Sequence, residues 1–403
     1  MEIFLARQPI FNRNKSIFGY ELLFRDGFSA TFPSIDGNTA TSTLLSNSFL
    51  CMGIDQISGG KKSFINFTQD LILQKIPLLF PPNKIIVEIL ENVYPTDDLI
   101  LACQEMARAG YELALDDFIY DPSYEPLIAL ANIIKIDLRQ TPIEEIPTLL
   151  GLLSKHRVKL LAEKVETYPE FEKCLEAGFD FYQGYFFSKP QILRGRDIST
   201  ARTTLLQIMA EISQNDIDIS RLEKLIAHDV AISYKLLRYI NSVFFHRGKE
   251  IASIRQAITR LGDDGIRRFI PIVLMARCSS DKPDELIRTS IIRARFCELI
   301  GQNIAIDIPG SELFTLGLFS LIDAILDNSM DDIITDLPFS SGIRNALTRG
   351  TGKMMGVLNL IRDYEIGDWS GVSHLAADIH LSEEKIPILY WDAVSWADAI
   401  SSC

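Results

Sequence analysis

The sequence predicts a modified (β/α) barrel followed by an all-helical domain, on three observations. Up to about residue 190, short runs rich in Ile, Leu and Val alternate with stretches of helical period, the pattern of parallel βα units. From about residue 198 to the end, almost every segment reads with a helical period. Several of the apolar runs also end in a carboxylate, an amide or a lysine. Side chains at the carboxyl ends of parallel strands converge on one mouth of a barrel.

The elements follow in order. "IFLARQPIF" and "SIFGYELLF" read as a hairpin pair, and a helical stretch is expected near 39–52. "SFINF" and the segment 84–90 are strands, and a helix over 97–109 is stopped by Gly110, since glycine takes the left-handed cap at no steric cost. "ELALDDF" is a strand and "SYEPLIALA" helical; "IIKID" leads to "PIEEIPTLLGLLSKH", with Pro142 in the first turn of a helix. "KLLAEKV" leads to "YPEFEKCLEAG", ended by Gly178, and "FDFYQGYFF" comes last. Seven or eight strands at this spacing suit a closed barrel. An open doubly wound sheet is the competing fold, and it lacks its Gly-rich nucleotide turn here. The barrel is assigned to residues 1–197 and the helical domain to 198–403, where "ARTTLLQIMAEIS", "SIRQAITRLG" and "SELFTLGLFSLIDAILD" are examples.

The 403 residues carry a net charge of −13, shared between both halves. This argues against broad-face binding to a nucleic-acid backbone, with a local basic patch left open. Six cysteines (Cys51, Cys103, Cys174, Cys278, Cys297, Cys403) lie far apart with no CxxC pair, which suggests reduced packing residues. Glu2 stands where a signal peptide carries lysine, and no run approaches eighteen apolar residues. The expectation is a cytoplasmic chain with no membrane span.

The strand ends carry the chemistry. Asn66, Glu88, Asp116, Asp117, Lys135, Asp137, Glu163 and Gln183 each sit at or near the end of an apolar run. Oxygen ligands with one lysine suit Mg2+ and a phosphoryl substrate. For Asp116 and Asp117 alone, a solvated loop or a helix cap is the competing reading. Lys135 inside an apolar strand is costly to bury unless paired, so it is expected to face the carboxylates.

Taken motif by motif, the first half resembles an EAL domain, the family of cyclic di-GMP phosphodiesterases. "YELLFR" is similar to the family's E-x-L-x-R motif, which implies that Glu21 is a metal ligand and Arg25 a contact to a substrate phosphate. "INFT" implies Asn66 as a ligand; "EILE" implies Glu88 as a ligand and Glu91 as a loop-stabilising residue. "DDF" supplies Asp116 and Asp117, "KID" supplies Lys135 near the attacking water, "AEKVE" supplies Glu163 and "QGYFFSKP" supplies Gln183. The resemblance implies a barrel with one strand reversed, two Mg2+ or Mn2+ ions, hydrolysis of cyclic di-GMP to linear pGpG, and a homodimer. It also implies a role in behaviour such as motility or biofilm formation. Three positions depart from the family pattern. Leu22 replaces the signature alanine, "DDFIYDPSYEPL" replaces a loop rich in glycine and serine, and Lys164 stands where a glycine is usual.

The second half resembles an HDOD domain through "HDVAISYKLLRYINSVFFHRGKEIASIRQAITRLGDDGIRRFI". His228 and Asp229 form an HD doublet, but His246, His374 and His380 do not lie in a metal-binding motif. The expectation is a non-catalytic helical platform for protein partners, with Asp229 as a helix cap and Asn241, Ser242 and Gly262 as turn and packing residues. Two functions follow from the whole: a metal-dependent phosphodiesterase, or a silent adaptor or cyclic di-GMP receptor acting through protein contacts.

Overall fold

In the computed structural model, the structure describes residues 3–26, 54–189, 217–227, 251, 253–278, 282–337 and 339–401, with scattered positions between 208 and 241. The expected helix near 39–52 lies outside these residues. The chain divides into two compact units, Met1–Phe187 with Glu365–Trp369, and Ser188–Tyr364 with Ser370–Cys403.

The first unit is a closed barrel of eight strands in sequence order. They are β1 (Ile3–Asn12), β2 (Ile17–Asp26), β3 (Lys62–Phe67), β4 (Ile85–Ile89), β5 (Glu112–Leu115), β6 (Ile133–Asp137), β7 (Lys159–Glu163) and β8 (Phe181–Gln183). β1 pairs antiparallel with both β2 and β8, while the pairs from β2 round to β8 are parallel. One strand is therefore reversed, as the resemblance implies. The helices α1 (Ile54–Ser58), α2 (Gln69–Leu73), α3 (Asp97–Arg108), α4 (Glu125–Ile128), α5 (Ile146–Leu153) and α6 (Tyr168–Ala177) connect the parallel strands.

Local chemistry sets the ends of these helices. Thr96 caps α3 by accepting from Leu99 N, and Gly110 beyond its end takes φ +90. Thr167 and Glu170 form a reciprocal capping box on α6, and Gly178 closes it at φ +99. Pro142 does not start α5, a correction to the sequence reading. Its carbonyl accepts a turn bond from Glu145 N at 2.9 Å, and Pro147 occupies the first turn instead. Both prolines suit a helix start, and composition alone does not choose between them.

The barrel interior is layered. Ile10, Phe64, Ile86, Ala114, Ile133, Leu161 and Phe181 form one buried cluster, with Phe18 packed against it. Each strand thus contributes one residue to the same apolar floor. Phe18 stacks on Phe181 with ring centroids 4.1 Å apart.

The second unit is helical among its described residues. Its helices are α7 (Ile219–Ala227), α8 (Ile254–Cys278), α9 (Asp284–Asn303), α10 (Gly310–Phe319), α11 (Ile322–Leu326), α12 (Met330–Asp336), α13 (Ser341–Arg349), α14 (Lys353–Ile366), α15 (Trp369–Asp378) and α16 (Ile386–Ser401). α9 is buried over most of its circumference and packs against α10 and α16. Gly317 permits the first contact, because a Cβ there would stand 2.4 Å from the Arg293 carbonyl oxygen. "SELFTLGLFSLIDAILD" forms α10 and α11 with a break at Ser320 and Leu321, where one continuous helical segment was expected. Gly262 interrupts α8 at φ +65, consistent with a turn role. Asn241 donates to the carbonyls of Leu237 (2.9 Å) and Ile251 (2.7 Å) and accepts from Ile251 N (2.8 Å). His228, Asp229, Ser242 and His246 lie outside the described residues.

Candidate active site at the carboxyl ends of the barrel strands

Side chains alternate along a strand, so residues two positions apart share a face. Two residues beyond the apolar floor on each of six strands stand Asn66, Glu88, Asp116, Lys135, Glu163 and Gln183. On the reversed strand the same step, taken backwards from Ile10, reaches Gln8, which pairs in register with Glu21. The apolar floor thus fixes a polar layer directly above it.

Lys135 is the hub of that layer. Its side chain is 1% exposed, and Nζ lies 3.2 Å from Glu21, 2.6 Å from Glu88, 2.7 Å from Asp116 and 2.9 Å from Glu163. Four carboxylates thus surround one ammonium. Gln183 Nε2 donates to Glu21 Oε2 at 2.7 Å and to Gln8 Oε1 at 2.9 Å, and Asn66 Nδ2 donates to Glu21 Oε1 at 3.2 Å.

One ammonium does not neutralise four carboxylates, and the acids divide accordingly. Burial opposes charge on Glu21, but Lys135 and the bonds from Gln183 and Asn66 outweigh it and hold this acid below its ordinary range. Burial dominates at Glu88, which is raised well above its ordinary value, with Glu21 and Asp116 adding repulsion. Asp116 is raised by burial and by Glu21 and Asp117. Glu163 is pushed up to about 8, by burial first and then by Asp116 and Glu21. Burial works against the Lys135 charge, yet Glu163, Glu21, Glu88 and Asp116 hold it well above its ordinary value.

A stability prediction follows. Acids raised on folding stabilise the fold below their unfolded pKa, and that contribution is lost as pH rises through the folded value. Glu88, Asp116 and Glu163 all act in this direction. Glu21 acts oppositely, but only at pH below its ordinary carboxyl value of 4.5. The metal-free barrel should therefore lose stability between about pH 4.5 and 8, read as a falling denaturation midpoint in EDTA. A midpoint that rises across that window would overturn this charge assignment.

Several buried oxygens at the mouth accept no hydrogen bond among the described residues: Asn66 Oδ1, Glu88 Oε2, Glu163 Oε2 and Gln183 Oε1. Ligand atoms of Asp116, Asp117 and Glu163 lie within 4.8 Å of one another. An all-oxygen set with unsatisfied acceptors fits a hard divalent cation. Asp117 adopts φ +40. The turn is held on both sides, by Asp116 N donating to Ile89 O and Phe118 N donating to Lys135 O, each at 3.0 Å. These bonds to β4 and β6 keep two successive carboxylates at one rim.

One expected residue is not brought into this cluster. Glu91 is exposed in the turn after β4. Arg25 is on β2 in register with Phe4, and its side chain is outside the described residues. Three residues at the mouth, Gln8, Asp137 and Lys164, were not singled out as site residues. Asp137 ends β6, and Lys164 Nζ lies 2.5 Å from its Oδ2. The alternation itself marks Asp137, two residues beyond Lys135; nothing in the periodicity marks Lys164.

The fold and this mouth define a reversed-strand barrel of the EAL class. Residues 52–190 match the EAL domain family and residues 198–330 the HDOD domain family. The EAL match begins after β2, so Glu21 and Arg25 precede it. The chain belongs to the family of proteins that join an EAL domain to an HDOD domain. It is 37% identical over 401 residues to the cyclic di-GMP phosphodiesterase CdgJ of Vibrio cholerae serotype O1, covering 99% of this chain and 93% of that protein. It is 35% identical over 404 residues to YuxH of Bacillus subtilis, described as uncharacterized, covering 98% of each. A solved structure of the Bacillus subtilis YkuI protein, with an EAL domain and in complex with c-di-GMP and calcium, shares 18% identity at a TM-score of 0.39, over 64% of this chain and 72% of that one.

Proposed function

We propose that the chain is a metal-dependent phosphodiesterase that opens cyclic di-GMP to linear pGpG. The polar layer carries this reading: four carboxylates, one buried ammonium and unsatisfied oxygens at a single mouth. The name of the Vibrio cholerae relative, 37% identical over nearly the whole chain, supports it.

Glu21, Asn66, Glu88, Asp116 and Asp117 would hold two Mg2+ or Mn2+ ions. Such ions lower the pKa of a bound water and stabilise charge on the phosphodiester. Water oxygen forms a bond to phosphorus, the bond from phosphorus to the ribose 3′ oxygen breaks, and that oxygen takes a proton. Glu163 would accept the water's proton at Oε2, which has no hydrogen-bond donor among the described residues. Lys135 orients the water and holds the acids around it. Gln183 fixes Glu21, Arg25 contacts a substrate phosphate, and Glu91 stabilises the loop after β4. The catalytic unit would comprise residues 1–197. The helical unit, 198–403, would regulate it or tie it to protein partners not yet identified, in a cytoplasmic homodimer. Among the described residues no helix is long and apolar enough to cross a membrane.

The test is hydrolysis of cyclic di-GMP by the purified protein with Mg2+ and with Mn2+. Glu21→Ala strips one acceptor from Lys135, Asn66 and Gln183, and product should fall to background. Binding without product would make the chain a receptor. Neither binding nor product would make it an adaptor.

A further inference from the structure

A second ammonium stands at the mouth. Lys164 follows Glu163 at the end of β7 and adopts φ +56. A side chain in this left-handed region costs about 1 kcal/mol or more, which glycine would avoid. The Lys164 side chain is 45% exposed, and its Nζ lies 2.5 Å from Asp137 Oδ2. Asp137 is itself buried, and it also accepts from Arg139 N at 2.8 Å and Gln140 Nε2 at 3.3 Å. The carboxylate is therefore fixed and supplied with donors without the lysine.

An ion pair to so exposed a lysine contributes about 0–1 kcal/mol, which does not offset the backbone cost. Asp137 instead acts as a guide. It takes one of the three N–H donors of the ammonium, and among the described residues it is the sole hydrogen-bond acceptor of that group. The guided end stands beside the acidic mouth, where the charges of Asp117 and Glu163 also act on it. A doubly anionic ligand entering an acidic mouth gains from a cation placed at the rim.

Building on the function proposed above, we propose that Lys164 is a substrate-binding residue whose ammonium, steered by Asp137, takes a phosphate oxygen of the cyclic dinucleotide. Lys164→Gly removes both the charge and the strain, Lys164→Ala removes the charge alone, and Lys164→Arg keeps the charge. Three quantities are read on the full-length protein: cyclic di-GMP affinity by calorimetry with Ca2+ bound, kcat and KM with Mg2+, and Mn2+ affinity together with the melting temperature.

In Lys164→Gly and Lys164→Ala, nucleotide affinity should weaken about tenfold, with KM carrying most of the change. Lys164→Arg should stay within about threefold of wild type. Lys164→Gly should melt no lower than wild type, with Mn2+ affinity undiminished. Glycine and alanine variants that bind nucleotide within about twofold of a binding wild type would overturn this role and leave the phosphodiesterase reading standing. Loss of nucleotide binding together with Mn2+ affinity or melting temperature would also overturn it, by making the lysine structural. A wild type that neither binds nor cleaves the nucleotide would remove both proposals.

Discussion

Lys135→Met is expected to produce the largest single change in this molecule. In the wild type, one ammonium within 3.2 Å of four carboxylates holds the metal-free mouth together. Methionine keeps much of the bulk and removes the charge. Breaking a buried pair from one side costs about 3–5 kcal/mol, so the melting temperature in EDTA should fall on the order of 10 °C at pH 8. Lower pH should recover part of that loss, because the acids then carry protons. Added Mg2+ should recover it more fully at neutral pH, since a divalent cation would face the same four acids. Turnover should drop by about 10²–10⁴-fold even with the metal present. Differential scanning calorimetry across pH and Mg2+ concentration, with a product assay beside it, reads all of these effects. An EDTA melting temperature unchanged by the substitution would show that Lys135 does not hold the mouth together.

Gly184→Ala should be nearly as damaging, through shape instead of charge. Gly184 adopts φ +138, and a Cβ there would sit 2.2 Å from Val165 O and 2.5 Å from Val165 N. Those two atoms are engaged: Val165 N donates to Gln183 O, and Phe186 N donates to Val165 O, each at 3.0 Å. The added methyl group must push the end of β8 away from β7, and Gln183 moves with it. A loss of about 3 kcal/mol or more follows from the overlap and the backbone together. Gly178→Ala is the control. It too has positive φ, at +99, but nothing lies within 4 Å of its would-be Cβ, so it should cost only about 1 kcal/mol. Equal losses in melting temperature at the two positions would refute the crowding argument.

Much of the barrel was legible because its signals are periodic. Apolar runs, turn glycines and their spacing locate every described strand, and the two-residue step from floor to mouth makes the polar layer readable as well. Phe64 to Asn66 and Ile133 to Lys135 are the same step on different strands. What stayed hidden depends on contacts distant in sequence or on conformation. Pro142 and Pro147 offer the same local chemistry, so the start of α5 is chosen by where Ile146 finds the core. The break between α10 and α11 carries no glycine or proline signal at Ser320 and Leu321. Ser320 is instead held by accepting from Arg293 Nη1 and donating to Gly317 O. At Lys164 the sequence shows only a departure from the family's usual glycine, and the positive φ is what the structure adds.

The segment after Asp117 differs from its family pattern in composition, and it is nevertheless well tied down. Tyr120 donates to Glu125 at 2.7 Å, and Lys155 and His156 lie 2.9 and 3.0 Å from the same carboxylate. Asp121 accepts from the backbone and hydroxyl of Ser123 at 2.7 and 2.6 Å. Hydrogen bonds replace glycine and serine flexibility there. Ile119, 65% exposed, is its one large apolar side chain left in solvent.

The reversed first strand has a consequence for biogenesis. β1 closes the barrel by pairing Ile10 with Gln183 and Asn12 with Phe181, so the first strand of the barrel waits for its last. Until β8 emerges, β1 and β7 each present an unpaired edge, a known hazard for aggregation. Closure across so long a stretch of chain is also slow compared with local helix formation. Gln183 arrives in the same step, bringing its bonds to Gln8 and Glu21. Floor and mouth are therefore laid down together, strand by strand, and both are completed at closure, when β8 brings Phe181 and Gln183.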